Sequence, residues 1–372
     1  MVETSRRADL TISMVRGLEG LRVIKPDWDR IHFAMDDPAY HQEWGWMAAL
    51  QERLIEEPLY FVVLGRRDQA AAILPLHLQT LTKAGIKHSY LSFPHHNHVV
   101  LSDALIDTDL IGDEDFRDVL HFLEHQQEVH WDYIQLSGIY ARSPLITWLK
   151  RSGLELEEFS ANAYFDWDAG PFDTSLSKKF IKNIRRLATK AEQEQGTLGT
   201  RYINDRESLP AAFEVFLELE ASGWKGEVGT STAIKHSPDL VSFYHQLLDT
   251  FCGDGAFQIN LLEINGVPAA GQLCVSSGQS WFIMKVAYND DLKRYGPGNI
   301  LMLDFLEQVS TTAGFTEVNL VTSPPWADRW HLKKRPVYAM QYFNGNIKGR
   351  LTEVVQHSKD VIKGFMRNGT NG

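Results

Sequence analysis

The stretch that most restricts the fold is AFQINLLEINGVPAAGQLCVSSGQSWFIMKVAY, residues 256–288. It consists of three apolar runs joined by two short polar links. The first link, Asn265-Gly266, is a strong hairpin signal, because both residues tolerate the left-handed backbone that a tight two-residue turn needs. Gly278-Gln279 forms the second link. The segment therefore predicts three antiparallel strands in a row. A glycine loop follows, KRYGPGNIL (293–301), then a helix, NILMLDFLEQVSTTAGF, and a strand, TEVNLVT.

Glycines in such a loop let a ligand approach the backbone closely and let several N–H groups converge. A helix N-terminus adds partial positive charge, and Lys293 and Arg294 add full charges. These features would suit a diphosphate, and an ordinary connecting turn would have the same glycines. Two common phosphate motifs are excluded. The GxxxxGK[ST] pattern is absent, and GxGxxG would require glycine at 301, which is Leu301.

At 372 residues the chain is long for one domain, and two are expected. Its only cysteines, Cys252 and Cys274, form no CxxC pair, which argues against a disulfide scaffold or zinc ribbon. No apolar run approaches the roughly 20 residues of a membrane helix. The N-terminal MVETSRRADLTISMVRGLEG lacks an apolar signal-peptide core, so a soluble cytoplasmic protein is expected. A net charge of -11 argues against general nucleic-acid affinity, so an anionic ligand must meet local positive charge.

Along the first half, a helix is predicted in 41–57, a hairpin in 58–80 around Arg66-Arg67-Asp68, and a strand in 88–94. A helix over 113–130, a strand over 133–139, a short helix at PLITWLKRSG and an extended LELEEFSANAYFDWD follow. The second half starts near Pro171 with a helix over 173–196, its buried stripe Phe180, Ile184, Leu187 and Ala191. A strand at TLGTRYI precedes two helices with Pro210 and Pro238 in their first turns. Beyond the glycine loop come the strand VYAMQYFN (337–344) and a closing helix in RLTEVVQHSKDVIKGFM. FVVLGRRDQAAAILPL echoes INLLEINGVPAAGQLCV, and both are followed by a strand, a helix and a strand. The halves read as a tandem repeat.

Lys293-x-x-Gly296-x-Gly298 resembles the acyl-CoA pyrophosphate loop of the GNAT acetyltransferase superfamily, with lysine in place of the usual Arg or Gln. The surrounding segment, with SKKFIKNIRRLATK and ASGWKGEVGT, is similar to the CelD/BcsL-type branch, related to the tandem FemABX enzymes. The resemblance covers about 170–345. It implies an α/β (α+β) fold of tandem GNAT-like domains, each a mixed, mostly antiparallel sheet flanked by helices. Their ranges would be 1–168, degenerate, and 169–372, with the acyl-CoA site. It implies that strands Trp281–Tyr288 and Glu317–Val321 splay apart, with the cofactor's amides pairing near Val286, Ala287 and Tyr288. Lys293, Arg294, Tyr295, Gly296, Gly298 and Asn299 would hold its phosphates. The first half has SFPHHNHVVLSD where such a loop would lie, so one cofactor site is expected.

Acyl transfer needs positioning, a base and a donor to the leaving thiolate. The glutamate that some members carry on the strand before the loop falls here on Phe282. The candidates are Glu227 as base and Tyr288 as acid. Trp224 and Lys225, between glycines, could close over an acceptor, and Lys179 and Arg186 lie on a basic helix face. His236 and the pair Asp328-Arg329, near Trp326 and Trp330, could line an acceptor cleft between the domains. Adjacent histidines in His95-His96-Asn97-His98 point in different directions, so no metal is expected. The resulting expectation is a transferase that moves an acyl group from acyl-CoA to an amine or hydroxyl between the domains. The acceptor would be a small molecule or a cell-envelope or polysaccharide precursor. An aminoacyl-tRNA-dependent FemABX-like transferase and a non-catalytic module are the alternatives, with tRNA the one nucleic-acid partner considered.

Overall fold

The structure, a computed structural model, describes residues 5–7, 9–83, 85–167, 176–223, 231–253, 255–350 and 352–353. In chain order its elements begin with β1 (Ser5–Arg7), β2 (Leu10–Arg16), α1 (Gly17–Val23), α2 (Lys25–Ala34) and α3 (Trp44–Arg53). Next are β3 (Tyr60–Arg66), β4 (Gln69–Lys83), β5 (Ile86–Ser92), β6 (Leu105–Ile106), α4 (Asp115–His125), β7 (Tyr133–Tyr140), α5 (Pro144–Arg151) and β8 (Glu157–Asp166). The remainder is α6 (Lys178–Gln195), β9 (Leu198–Ile203), α7 (Leu209–Ser222), α8 (Pro238–Phe251), β10 (Phe257–Ile264), β11 (Val267–Ser277), β12 (Ser280–Tyr288), α9 (Pro297–Ser310), β13 (Glu317–Asn319) and β14 (Lys333–Phe343). No element is expected from the sequence before residue 41, so β1, β2, α1 and α2 are additions. Of the expected closing helix, all but Arg350, Thr352 and Glu353 lies outside the described residues.

The chain forms two compact units. The described residues of the first fall in Met1–Met35, Glu57–Ser160 and Pro336–Gly372; those of the second fall in Asp36–Glu56 and Ala161–Arg335. A single cut between 168 and 169 does not separate these sets. The first unit's strand order is β1-β2-β3-β4-β5-β7-β14, with β6 on β4; the second's is β8-β13-β12-β11-β10-β9. In the first unit β1 to β5 pair antiparallel in turn and β5 then pairs parallel with β7, opening at Tyr90↔Tyr133; in the second β9 to β12 pair antiparallel and β12 then pairs parallel with β13, opening at Ser280↔Glu317. One more strand then pairs antiparallel in each, β14 on β7 and β8 on β13. Apart from β1 and β6, the same topology occurs twice, which is the tandem GNAT-like arrangement expected from the sequence. The last strands of the two orders come from unexpected places, because β14 follows the second unit in the chain and β8 precedes most of it.

The local reasons are ordinary ones. Leu10, Ile12 and Met14 alternate inward along β2 and are buried. Asn265 and Gly266 both take positive φ, +53° and +76°, as the Asn-Gly turn requires. Pro144, Pro238 and Pro297 start α5, α8 and α9, where a missing N–H costs nothing. In α6 the buried residues are Ile181, Ile184 and Ala191, with Phe180 and Leu187 at the stripe's edges.

One buried carboxyl of the first unit supports a pH prediction. Asp103 is 4% exposed, and its Oδ1 accepts from Ser143 Oγ and the Ala104 amide, both at 2.8 Å. Burial outweighs those bonds and pushes the acid up to about 7. Its folded value thus lies above the unfolded value of about 3.9. Between those values the native chain holds a proton that the unfolded chain has released, so this group's contribution falls as pH rises from about 4 to 7. Asp103→Asn mimics the neutral acid. Relative to the parent, it should gain about 2–4 kcal/mol of stability at pH 8 compared with pH 4. Denaturant melts at both pH values check this, and an equal difference at both refutes it.

Candidate active site

The second unit's site begins where two strands part. β12 pairs parallel with β13 only at Ser280, Trp281 and Phe282. On its other edge β12 stays paired with β11 as far as Tyr288↔Ala270, through a register shift between Leu273 and Cys274 that faces Ile283 to Lys285. From Ile283 onward, one edge of β12 therefore has no strand partner among the described residues. On that edge Val286, Ala287 and Tyr288 lie within reach of an extended ligand chain. These are the two strands expected to splay.

β12 ends at Tyr288 and a 3₁₀ turn, Asp290–Tyr295, follows. Gly296 then takes a left-handed conformation, φ +64° and ψ 48°, and caps α9. A side chain would strain that backbone, so glycine is required here by conformation. At Gly298 the fold itself makes no such demand: an added Cβ would stand 4.0 Å from Tyr288 Cδ1 and clash with nothing, so the glycine leaves open space beside Tyr288. The Asn299 and Ile300 amides bond the Gly296 carbonyl at 2.9 and 3.2 Å, an ordinary first turn. The Gly298 amide takes no acceptor among the described residues.

The open edge and this loop enclose a cavity of about 340 Å³. Val286, Ala287 and Tyr288 line it from β12, and Lys293, Gly296, Gly298 and Asn299 from the loop and α9. Arg329, Trp326 and Trp330 close it. Among the described residues, two cations and no carboxylate line the wall, in a chain of net charge -11. Neither Lys293 nor Arg329 has a carboxylate partner among the described residues, whereas neighbouring Asp328 is held by Lys334 at 2.8 Å. The 3₁₀ helix Pro325–Trp330 explains why Arg329 faces in. At three residues per turn, positions i and i+3 eclipse. Ala327 and Trp330 are buried, Trp330 packing at 5.0 Å on Phe180 and 5.7 Å on Phe165. That register leaves Trp326 and Arg329 together on the other side, where both are exposed.

Gln272 was not foreseen. It lies on β11, opposite Val286, 2% exposed and facing the cavity. Gln258 Nε2 donates to Asn260 Oδ1 at 2.7 Å, and Asn260 Nδ2 donates to Gln272 Oε1 at 2.9 Å. Each amide fixes the next, so Gln272 turns its NH₂ inward, where Met302 Sδ at 3.9 Å is a weak acceptor. The signal was a lone glutamine inside the apolar run AAGQLCV. Gly271, Leu301 and Met302, also lining residues, carried no such signal.

Other sequence candidates lie elsewhere. Arg294 turns to Glu194 on α6, 3.2 Å away, and stacks over the Tyr295 ring. Tyr295 is fully buried and donates to Glu194 Oε2 at 2.9 Å. Both anchor the loop to α6 and leave the cavity wall to Lys293. Lys179 and Arg186 are exposed on α6, Arg186 donating to Asn183 at 3.0 Å, and His236 is exposed in the 3₁₀ helix Ile234–His236. None of the three lines the cavity. Trp224, Lys225 and Glu227 lie outside the described residues. Among the described residues no helix is long and apolar enough to cross a membrane.

Residues 178–330 match the family model of the acetyltransferase (GNAT) domain. No curated protein matches the chain by sequence. Among solved structures, FemX is similar with a TM-score of 0.57 at 12% identity, over 88% of this chain and 98% of FemX. L-PGS from Bacillus licheniformis gives 0.54 at 12%, over 89% and 96%. The C-terminal domain of a putative lysylphosphatidylglycerol synthetase from Agrobacterium fabrum gives 0.52 at 13%, over 88% and 95%. At such identities these likenesses speak to fold alone.

Proposed function

We propose that this chain, an acyltransferase of the GNAT superfamily, takes its acyl group from acyl-CoA bound in the second unit's cavity and passes it to an amine or hydroxyl. The observation that carries this reading is the cavity's wall: an open strand edge, the Gly298 amide, Lys293 and Arg329, with no acid among the described lining residues. A diphosphate meets the start of α9 and Lys293. The pantetheine extends along β12 toward Ile283, its amides pairing with the edge at Val286 to Tyr288 that β13 leaves uncovered. Gln272 offers one further donor to a carbonyl of that chain. The acceptor's nitrogen or oxygen attacks the thioester carbonyl, the C–S bond breaks, and the thiolate leaves with a proton.

Tyr288 stands beside Gly298, at the phosphate end of the cavity. At about 3.3 Å per residue, the reacting carbon lies several strand positions back. We therefore assign Tyr288 to packing against the cofactor, in place of the acid role considered from sequence. The acceptor is proposed to be a small molecule or an envelope or polysaccharide precursor.

One observation favours aminoacyl-tRNA as donor instead. Lys178, Lys179, Lys182 and Arg186 are exposed on α6 with no carboxylate partner among the described residues, while Arg185 pairs with Glu307 and Lys190 with Glu194. A thermal-shift assay separates the two. CoA and acetyl-CoA at about 100 times their Kd should stabilise the chain by about 2.7 kcal/mol. No shift with any CoA ester, together with RNA binding that falls steeply with salt, would overturn the acyl-CoA reading.

A further inference from the structure

On the surface of the first unit, α4 reads His121-Phe122-Leu123-Glu124-His125. Phe122 and Leu123 are in the core, 5% and 3% exposed, and this fixes the helix rotation. His121 and His125 are therefore exposed, one turn apart on one face, with Glu124 beside them. One ligand atom from each of the three lies within 4.8 Å of the others, and the two imidazole centroids are 4.1 Å apart.

We propose that His121, Glu124 and His125 form a binding site for a late first-row divalent cation, Zn²⁺ or Cu²⁺. Two bonds prepare the ligands. His125 Nδ1–H donates to the His121 carbonyl at 2.8 Å; a carbonyl can only accept, so the proton sits on Nδ1 and the Nε2 lone pair is free. Tyr342 Oη donates to Glu124 Oε1 at 2.9 Å and leaves Oε2 open. Such outer partners orient metal ligands and raise their basicity.

Two imidazoles and one carboxylate suit late transition ions, whereas Ca²⁺ and Mg²⁺ prefer oxygen donors. Metal–ligand bonds of about 2.0–2.1 Å draw the three atoms closer than they now stand. Exposed histidine side chains make that movement without disturbing Phe122 or Leu123. Water fills the remaining positions.

The test uses the full, untagged chain freed of metal with a chelator. Calorimetry with ZnCl₂ at pH 7.5 should give a site that His121→Ala/His125→Ala weakens more than tenfold. Tyr342→Phe should weaken it about tenfold. Electron paramagnetic resonance with one equivalent of Cu²⁺ should show two imidazole nitrogens, lost in the double variant. His96→Ala/His98→Ala, in the chain's other histidine-rich segment, should bind like the parent. Failure of the parent to bind, or a double variant that binds like it, overturns the site. Unchanged affinity in Tyr342→Phe overturns the positioning role of Tyr342.

Discussion

Lys293→Glu is expected to weaken CoA binding about a hundredfold. The substitution removes an attraction to the diphosphate and installs a repulsion. Each is worth on the order of 1–2 kcal/mol at the partly screened mouth of a cavity. Among the described residues, Arg329 is the only other cation on that wall, and no carboxylate there opposes the ligand. Gly298→Val should have a comparable effect for a different reason. Its γ-carbons would fill space that the glycine leaves open beside Tyr288. The adjacent Arg294→Ala is the discriminating control. Arg294 is committed to Glu194, so its loss should leave affinity close to the parent's. Isothermal titration with CoA reads all three. Equal binding by Lys293→Glu, Gly298→Val and the parent would remove the site proposed for the diphosphate.

The second large effect concerns stability. Glu317, on β13 beside the splay, is fully buried. Arg335 meets it with two hydrogen bonds, 3.0 and 2.8 Å, and stacks 3.7 Å from the Tyr164 ring centroid; Asn319 donates to the same carboxylate at 2.9 Å. Arg335→Met would leave the carboxylate buried without the guanidinium that balances its charge. Removing one partner of such a pair costs about 3–5 kcal/mol. The melting temperature should fall on the order of 10 °C. Arg335→Met/Glu317→Leu should recover much of that loss, because the pair's desolvation cost disappears with the charges. A single variant that melts with the parent would show that Arg335 does not hold Glu317 in solution.

What could be read from sequence was local. The Asn-Gly turn, the prolines that open helices and the glycine loop each carry their conformation in a few neighbouring residues. The loop's division of labour did not. Lys293 and Arg294 are adjacent cations with equal claims in sequence, and the difference is made by Glu194, a hundred positions away, which takes Arg294. Arg329 was considered only as one of a pair with Asp328, because its direction depends on a 3₁₀ register, which apolar periodicity over six residues does not reveal. β2 carried its alternation of Leu10, Ile12 and Met14 in plain view, but was passed over beside the longer helix signal after it. Gln272 was legible in principle, as a polar residue where every neighbour is apolar. Its importance depends on an amide chain that spans two strands.

The order of strands β8 and β14 limits how this molecule can be dismantled. A gene cut after codon 168 would give a carboxy-terminal polypeptide lacking Ala161–Asp166, and β13 would be left with a bare edge on one side. The amino-terminal product would lose Val337–Phe343 from β7 in the same way. Exposed edges of that kind recruit other chains. Evolution can therefore erode a site in one repeat, but neither repeat is free to be deleted, exchanged or expressed alone.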